Sequence, residues 1–420
     1  MPLWANDMPY SGRRQLQLGI WLAALLICLG LGPTTASAQF LRPGIREPFL
    51  SSPLEDDPRD PLLPDPPIQR PLSPLEKLAL EADLDRLAAT AAELFANGQS
   101  ESAYELWMRE VRLRRLLGLN QELTAIERVG QLVWDAGRSQ EVRLLTARLE
   151  VIRADLQAPP VNMEPLQRVA DLFALLGEAE EAIATYQQLA DISQKQGQPV
   201  QHQTYLETIA QIQRRWFKFL EAALTYQELY ALEVATPEDK ILYLQRVADS
   251  YSQVKQFQQA LEAQQVLLQF YQWQRELSPI PALRLSMGEH HQALNQLEAA
   301  SQQYQRAYEQ AIAIPQFAIA SQSLKSLAQL YQQVGRDSDR IYLYQQLILV
   351  ERASYSAFGV MFAYDQLGQT YEDLNQPEMA IEAYRQGLAI AEQLNHRQQH
   401  FRAQIRRLSP DDIQQEGWRR

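Results

Sequence analysis

The stretch "GEAEEAIATYQQLADI" (residues 177–192) reappears in altered form as "NQPEMAIEAYRQGLAI" (residues 375–390), 198 positions further on. Each runs from a turn residue through an acidic residue and Ala-Ile to a Tyr and a leucine-bearing stretch. Working outward from this pair, the whole region repeats with a period near 40. One position per period is always tiny: Ala91, Gly130, Ala170, Ala210, Ala248, Gly288, Ala328 and Gly368, spaced by 38 to 40 residues. Twelve residues later the chain mostly has Ala (Ala103, Ala182, Ala222, Ala260, Ala300, Ala380). Four further on it mostly has an aromatic (Trp107, Tyr186, Tyr226, Tyr304, Tyr344, Tyr384). Turn residues Gly98, Gly137, Gly177, Gly335 and Asn375 fall between the two sets, and prolines such as Pro159, Pro199 and Pro237 fall between periods.

Each feature has a physical reading. A tiny residue inside a helix lets a neighbour approach closely, and an aromatic fills the space beside that contact. Gly at the break supplies the left-handed helix end. Each period is therefore a helix, a tight turn and a second, antiparallel helix. One such hairpin cannot bury its apolar face alone, so neighbours stack. The expected fold is all-α, with almost no strand signal from 76 to 405.

The order small, aromatic, turn, Ala, aromatic resembles the tetratricopeptide repeat. The resemblance covers eight units, 76–405. It implies a right-handed α-solenoid of about eight antiparallel hairpins. The usual unit of that family is 34 residues, whereas the period here is about 40. The first aromatic position, three residues after the tiny one, holds Leu94, Val133, Phe173, Gln213, Tyr251, His291, Tyr331 or Tyr371, so repeat two lacks both signature aromatics and repeats one, four, five and six lack one each.

The chain has 420 residues, 46% hydrophobic and 21% charged, and a formal net charge of −12. This balance excludes a large nucleic-acid footprint and makes the average surface repel anionic membranes. Residues 1–38 read as an export signal: Arg13 and Arg14, the apolar run "LGIWLAALLICLGLG" (18–32), then Ala36-Ser37-Ala38. An uncleaved membrane anchor is the rival reading of this segment. The expected location is across a membrane: a periplasm, a thylakoid lumen or the exterior. The single cysteine, Cys28, lies in this segment, so the processed chain has no disulfide or thiolate.

Residues 39–75 hold ten of the 23 prolines and are expected to be an extended, disordered tether. The tether ends at Ser73-Pro74-Leu75-Glu76, where Ser at the N-cap, Pro at the first position and Glu at N3 predict a helix start. The basic run "RLRRLLG" (112–118) reads as a solvated helix edge, and 406–420 as a frayed C-terminal tail.

The resemblance implies a groove lined by the first helix of each hairpin, at the residue after each tiny position and three before it. Those positions are Glu127 and Gln131, Gln167 and Asp171, Glu207 and Gln211, Gln245 and Asp249, Leu285 and Glu289, Lys325 and Gln329, Asp365 and Gln369. Taken singly, each is ordinary solvated helix surface; their repetition points to a groove. It is amide-rich and acidic, which suits an extended or helical polar segment with basic character. The Lys and Asn pattern with which some family members clamp a terminal carboxylate is absent. Trp216 and Phe217 in "RRWFKFL" (214–220), with Phe270 and Trp273 in "FYQWQ" (270–274), are candidate interface anchors; packing between hairpins is the favoured alternative for them. His396 and His400, spaced i, i+4, and the adjacent His290 and His291 complete no metal motif. No nucleophile elbow, P-loop or dinucleotide fingerprint occurs. The expectation is a non-enzymatic exported scaffold without a cofactor, binding a protein or peptide. The alternative is an exported enzyme or ligand-binding protein, for metal or glycan, with a pocket inside the superhelix.

Overall fold

The computed structural model describes residues 43–55, 59–64, 70–158 and 161–409. The export signal at 1–38, and the tail beyond residue 409, lie outside the described residues. The chain divides into two compact units, Met1–Ala235 and Thr236–Arg420.

The first unit opens with α1 (Pro43–Leu50) and then builds four hairpins. They are α2 (Pro74–Ala96) with α3 (Ser100–Arg114), α4 (Leu119–Asp135) with α5 (Ser139–Leu156), α6 (Met163–Leu175) with α7 (Ala179–Lys195), and α8 (Pro199–Arg215) with α9 (Phe219–Ala231). The second unit builds four more. They are α10 (Pro237–Gln253) with α11 (Phe257–Gln274), α12 (Ile280–Ala293) with α13 (Leu297–Ala313), α14 (Phe317–Gln333) with α15 (Asp337–Ala353), and α16 (Ala357–Asp373) with α17 (Pro377–Gln393). A last helix, α18 (Gln398–Leu408), closes the stack. From α2 onward consecutive helices pack on one another within each unit, and α1 packs on α5. The first and second helix of a hairpin are called A and B below. The four all-α hairpins of each unit agree with the sequence period.

Local chemistry sets the element boundaries. Ser73 caps α2 in a reciprocal capping box with Glu76, and Pro74 starts the helix, as its sequence predicts. Thr236 and Asp239 repeat the device at α10, again with Pro at the first helical position. Each A–B turn places one residue in the left-handed region: Gly98, Gly137, Gly177, Phe217, Lys255, Asn295, Gly335 and Asn375. This single residue reverses the chain and ends each A helix.

The repeat signature forms the core. Ala91, Ala170, Ala210 and Ala328 are fully buried on A helices, and Tyr186, Tyr304, Tyr344 and Tyr384 are buried on B helices. At Gly288 and Gly368 the B-helix tyrosine of the same hairpin lies against the glycine itself, filling the space a Cβ would take. Phe401 of α18, fully buried, packs in the same way against Gly387 and near Tyr384. Burial of such a ring stabilises by about 1.5–3 kcal/mol.

The tether expectation needs correction over its described part. Phe49, Leu63 and Leu72 are buried, and the latter two join Leu80, Leu84 and Leu113 in one apolar cluster. Part of the segment is the helix α1, which contains Pro48, and side chains tie the segment to the first hairpins. Arg109 donates twice to Asp60 at 2.7 Å, and Arg112 donates to Ser51 at 3.1 Å. Arg115 reaches the carbonyls of Leu50 and Ser51 and stacks over Phe49 at 4.9 Å. The run 112–118 is therefore not a solvated edge. Arg115 is buried beside Glu122, at 3.1 Å. Burial, together with the charges of Arg148 and Arg112, pulls its guanidinium down to about 10.

Candidate protein-binding face

The predicted groove residues all lie on A helices, and the structure sorts them. In the first unit, Glu127 and Gln131 are exposed on α4, Gln167 and Asp171 sit on α6, and Glu207 and Gln211 on α8. In the second unit, Gln245, Asp249, Glu289, Gln329 and Gln369 are exposed, and Lys325 is half-buried. Asp365 is the exception. It is 2% exposed, accepts from Arg397 at 3.1 Å and faces His400 Nε2 at 2.8 Å. It anchors α18 rather than facing a partner. The period could not reveal this, because the partners come from a helix outside the repeat.

Among the candidate anchors, Phe217 and Trp273 are exposed and Trp216 is partly exposed, while Phe270 is buried in the core and is no anchor. The histidines serve structure. His400 holds Asp365, and His396 meets Phe358 edge-on at 5.6 Å. His290 is buried between Gln264 at 2.9 Å and Ser252 at 3.0 Å. Among the described residues no three His, Cys, Asp or Glu side chains gather as a metal set.

The A face of the first unit carries the most developed geometry. A hollow of about 390 Å³ opens between α6 and α8, lined by Gln167, Gln198, Pro199, Val200, Gln201, Thr204 and Tyr205. The Tyr205 ring is buried, and its hydroxyl is the centre of a relay. It donates to Gln167 Oε1 at 3.2 Å and accepts from Gln201 Nε2 at 3.1 Å. Each glutamine thus spends one end on the tyrosine. The NH2 of Gln167 and the carbonyl of Gln201 remain without a protein partner among the described residues, one donor and one acceptor on the lining of a single hollow. That pair complements a peptide group, which offers one carbonyl and one N–H.

Acidic groups flank the hollow. Tyr186 donates to Asp171 and its ring lies 6.0 Å from that of Tyr205. Burial raises the Asp171 carboxyl above its ordinary value, and the Tyr186 hydroxyl only partly offsets this. Glu127 faces Arg168 at 3.8 Å, and Glu207 accepts from Gln203 at 3.2 Å. Glutamine elsewhere has the same duty: Gln245 donates to the Tyr271 hydroxyl at 2.7 Å, and Tyr304 donates to Gln292 at 2.8 Å. A tyrosine packed in a repeat core needs a partner for its hydroxyl. These glutamines supply that partner.

A larger hollow, about 770 Å³, opens at the turn ends of the second and third hairpins, between Trp134, Val142, Arg143, Leu176 and Glu178. It contains none of the sequence-predicted residues. The sequence offered no signal for it, because Trp134 stands outside the repeat signature.

Residues 363–394 match the family model of the tetratricopeptide repeat. They span the end of α16, its turn and all of α17, and the same arrangement recurs in the other seven hairpins. This stretch is a tetratricopeptide repeat. Repeats of this family commonly serve as protein-interaction scaffolds. No curated protein sequence matches the chain. Among solved structures, it is similar to BtubC from P. vanneervenii at 14% identity, over 52% of this chain and 92% of that one, with a TM-score of 0.37. The apo form of RapI is similar at 11% identity over 74% and 98% of the two chains, with a TM-score of 0.38. Aspartyl phosphate phosphatase F from Bacillus subtilis is similar at 16% identity over 75% and 81%, with a TM-score of 0.37. These distant likenesses say nothing about a ligand of this chain.

Proposed function

We propose that the protein is a non-enzymatic exported scaffold that holds an extended polypeptide segment on its A-helix face. The observation that carries this reading is the spare donor of Gln167 and the spare acceptor of Gln201 on either side of Tyr205. Amides read a backbone without demanding a side chain, so the hollow supplies register and the carboxylates select charge. Glu127 and Glu207 favour a segment with basic residues. The leader-like sequence at 1–38 supports export, and assistance to assembly of an envelope or lumenal complex is the corresponding role.

The test is capture from the exported protein fraction of the source cell by the wild-type chain and by two variants. One carries Glu127→Lys and Glu207→Lys; the other carries Gln167→Ala and Gln201→Ala. Asp171 is left alone, because lysine there would break the Tyr186 contact and confuse binding with folding. A protein held by the wild type and lost by both variants is the expected result. A partner retained by both variants moves the interface away from this face.

A further inference from the structure

The turn between α8 and α9 differs from the other A–B turns in a way that packing does not explain. Six of the eight left-handed turn residues are Gly or Asn, a seventh is Lys255, and the fourth hairpin uses Phe217 at φ 59°. The left-handed conformation crowds the Cβ of an L-residue and is unfavourable for a bulky ring. Burial does not offset this, since Phe217 is 78% exposed. Its neighbours in the turn follow it outward: Trp216 is 38% exposed and Leu220 39%. Phe219 supports the ring from 5.9 Å.

The charges at the tip are unlike those of the chain as a whole. Arg214 and Arg215 close α8, and neither has a carboxylate partner among the described residues. Lys218 pairs with Glu180, and Glu221 sits in the first turn of α9. Two guanidinium groups are therefore available beside three outward-facing apolar side chains.

We infer that this turn docks on the surface of an anionic lipid bilayer. Trp216, Phe217 and Leu220 enter the boundary between headgroups and acyl chains, and Arg214 and Arg215 meet lipid phosphates. The shape favours lipid over protein: a protruding turn needs a matching cavity on a protein, whereas a bilayer interface deforms around it. Exposed aromatics beside arginine are the side-chain pair suited to that depth. The net charge of −12 opposes approach at long range. Within a screening length of about 10 Å the local arginines decide. This contact is separate from the A-face hollow and does not rest on the peptide-binding reading.

The experiment is amide hydrogen exchange across residues 212–222 of the full chain, with and without vesicles. Vesicles of phosphatidylcholine with phosphatidylglycerol are compared with vesicles of phosphatidylcholine alone. The local readout keeps the result independent of the apolar leader. Exchange in the turn is expected to slow on the anionic vesicles only. Phe217→Gly suits the left-handed backbone, so the variant is expected to keep or raise the melting temperature while losing this protection. Arg214→Gln and Arg215→Gln each weaken vesicle binding through the turn by about fivefold. The inference is overturned by unchanged exchange on anionic vesicles, by equal protection on neutral ones, or by protection that survives Phe217→Gly. Protection conferred by an exported protein extract and not by vesicles also overturns it, in favour of a protein partner.

Discussion

The ring of Tyr384 lies so close to Gly368 that a Cβ built on the glycine would stand 2.5 Å from ring Cε1. The tyrosine hydroxyl meanwhile donates to Glu372 at 2.6 Å, one turn along the same A helix. The ring is fixed at both ends and cannot retreat. Gly368→Ala is therefore expected to destabilise the second unit by about 1–3 kcal/mol, despite the better helix propensity of alanine. Gly130→Ala is the control. Its Cβ would meet the methyl ends of Leu175 and Leu176 at 3.2 Å and of Leu145 at 3.9 Å, all of them ends of flexible side chains, so a change within ~1 kcal/mol is expected. Chemical denaturation of the two variants checks the contrast.

Burial, with the neighbouring charge of His291, holds the His290 imidazole below its ordinary value of 6.5. It sits between Gln264 and Ser252, with Phe257 stacked at 5.5 Å. The folded state therefore resists the proton that the unfolded chain accepts. Stability is fully present above pH 6.5 and is lost as pH falls from there toward the lower folded-state value. Melting temperatures measured from pH 7.5 down to 5 should decline in the wild type. His290→Asn should show a shallower decline across that window; an identical slope would remove His290 as the cause.

Asp365 binds α18 to the eighth hairpin through Arg397 and His400. Asp365→Asn weakens both contacts and leaves Phe401 as the main attachment of the helix. The expected loss is about 1–3 kcal/mol, expressed as faster amide exchange across 398–408 with little change in α10–α13. Uniform loosening of the whole second unit would contradict a local anchoring role.

At the other end of the chain, Arg109 and Asp60 hold a proline-rich segment on the first hairpin. Burial alone would raise the Asp60 carboxyl, but the Arg109 guanidinium holds it below its ordinary value. The pair is partly exposed, so Asp60→Asn should cost only ~1 kcal/mol. The clearer signal is expected in limited proteolysis, with new cleavage between 50 and 72 while the hairpins persist.

The fold was legible because its determinants are periodic. The tiny position of each A helix and the aromatic of most B helices recur in sequence, and they meet in space where Gly288 faces Tyr304 and Gly368 faces Tyr384. The Ser73 cap was legible because a capping box is local. What failed had partners outside the period. Asp365 sits at a groove position by count, but α18 covers it. Arg112 and Arg115 look like solvent-facing charges until Phe49, Leu50 and Ser51 are placed over them. Phe270 and Trp273 stand three residues apart in one motif, yet one is buried and the other exposed. For the binding face, the positions of Gln167 and Glu207 were readable, whereas the relay through Tyr205 was not. It depends on which end of each amide the tyrosine engages.

The central claim is that a partner occupies the A-helix face of the first unit. The most direct measurement places a photo-crosslinking amino acid at Gln131 or Gln211 on the A face, or at Gln187 on the B helix α7. Each chain is irradiated with the exported proteins of the source cell, and the adducts are identified by mass spectrometry. The account predicts one shared adduct from Gln131 and Gln211, absent from Gln187 and lost when Gln167 and Gln201 are alanine. An adduct from Gln187 alone, or one from the A face that ignores those alanines, would contradict it.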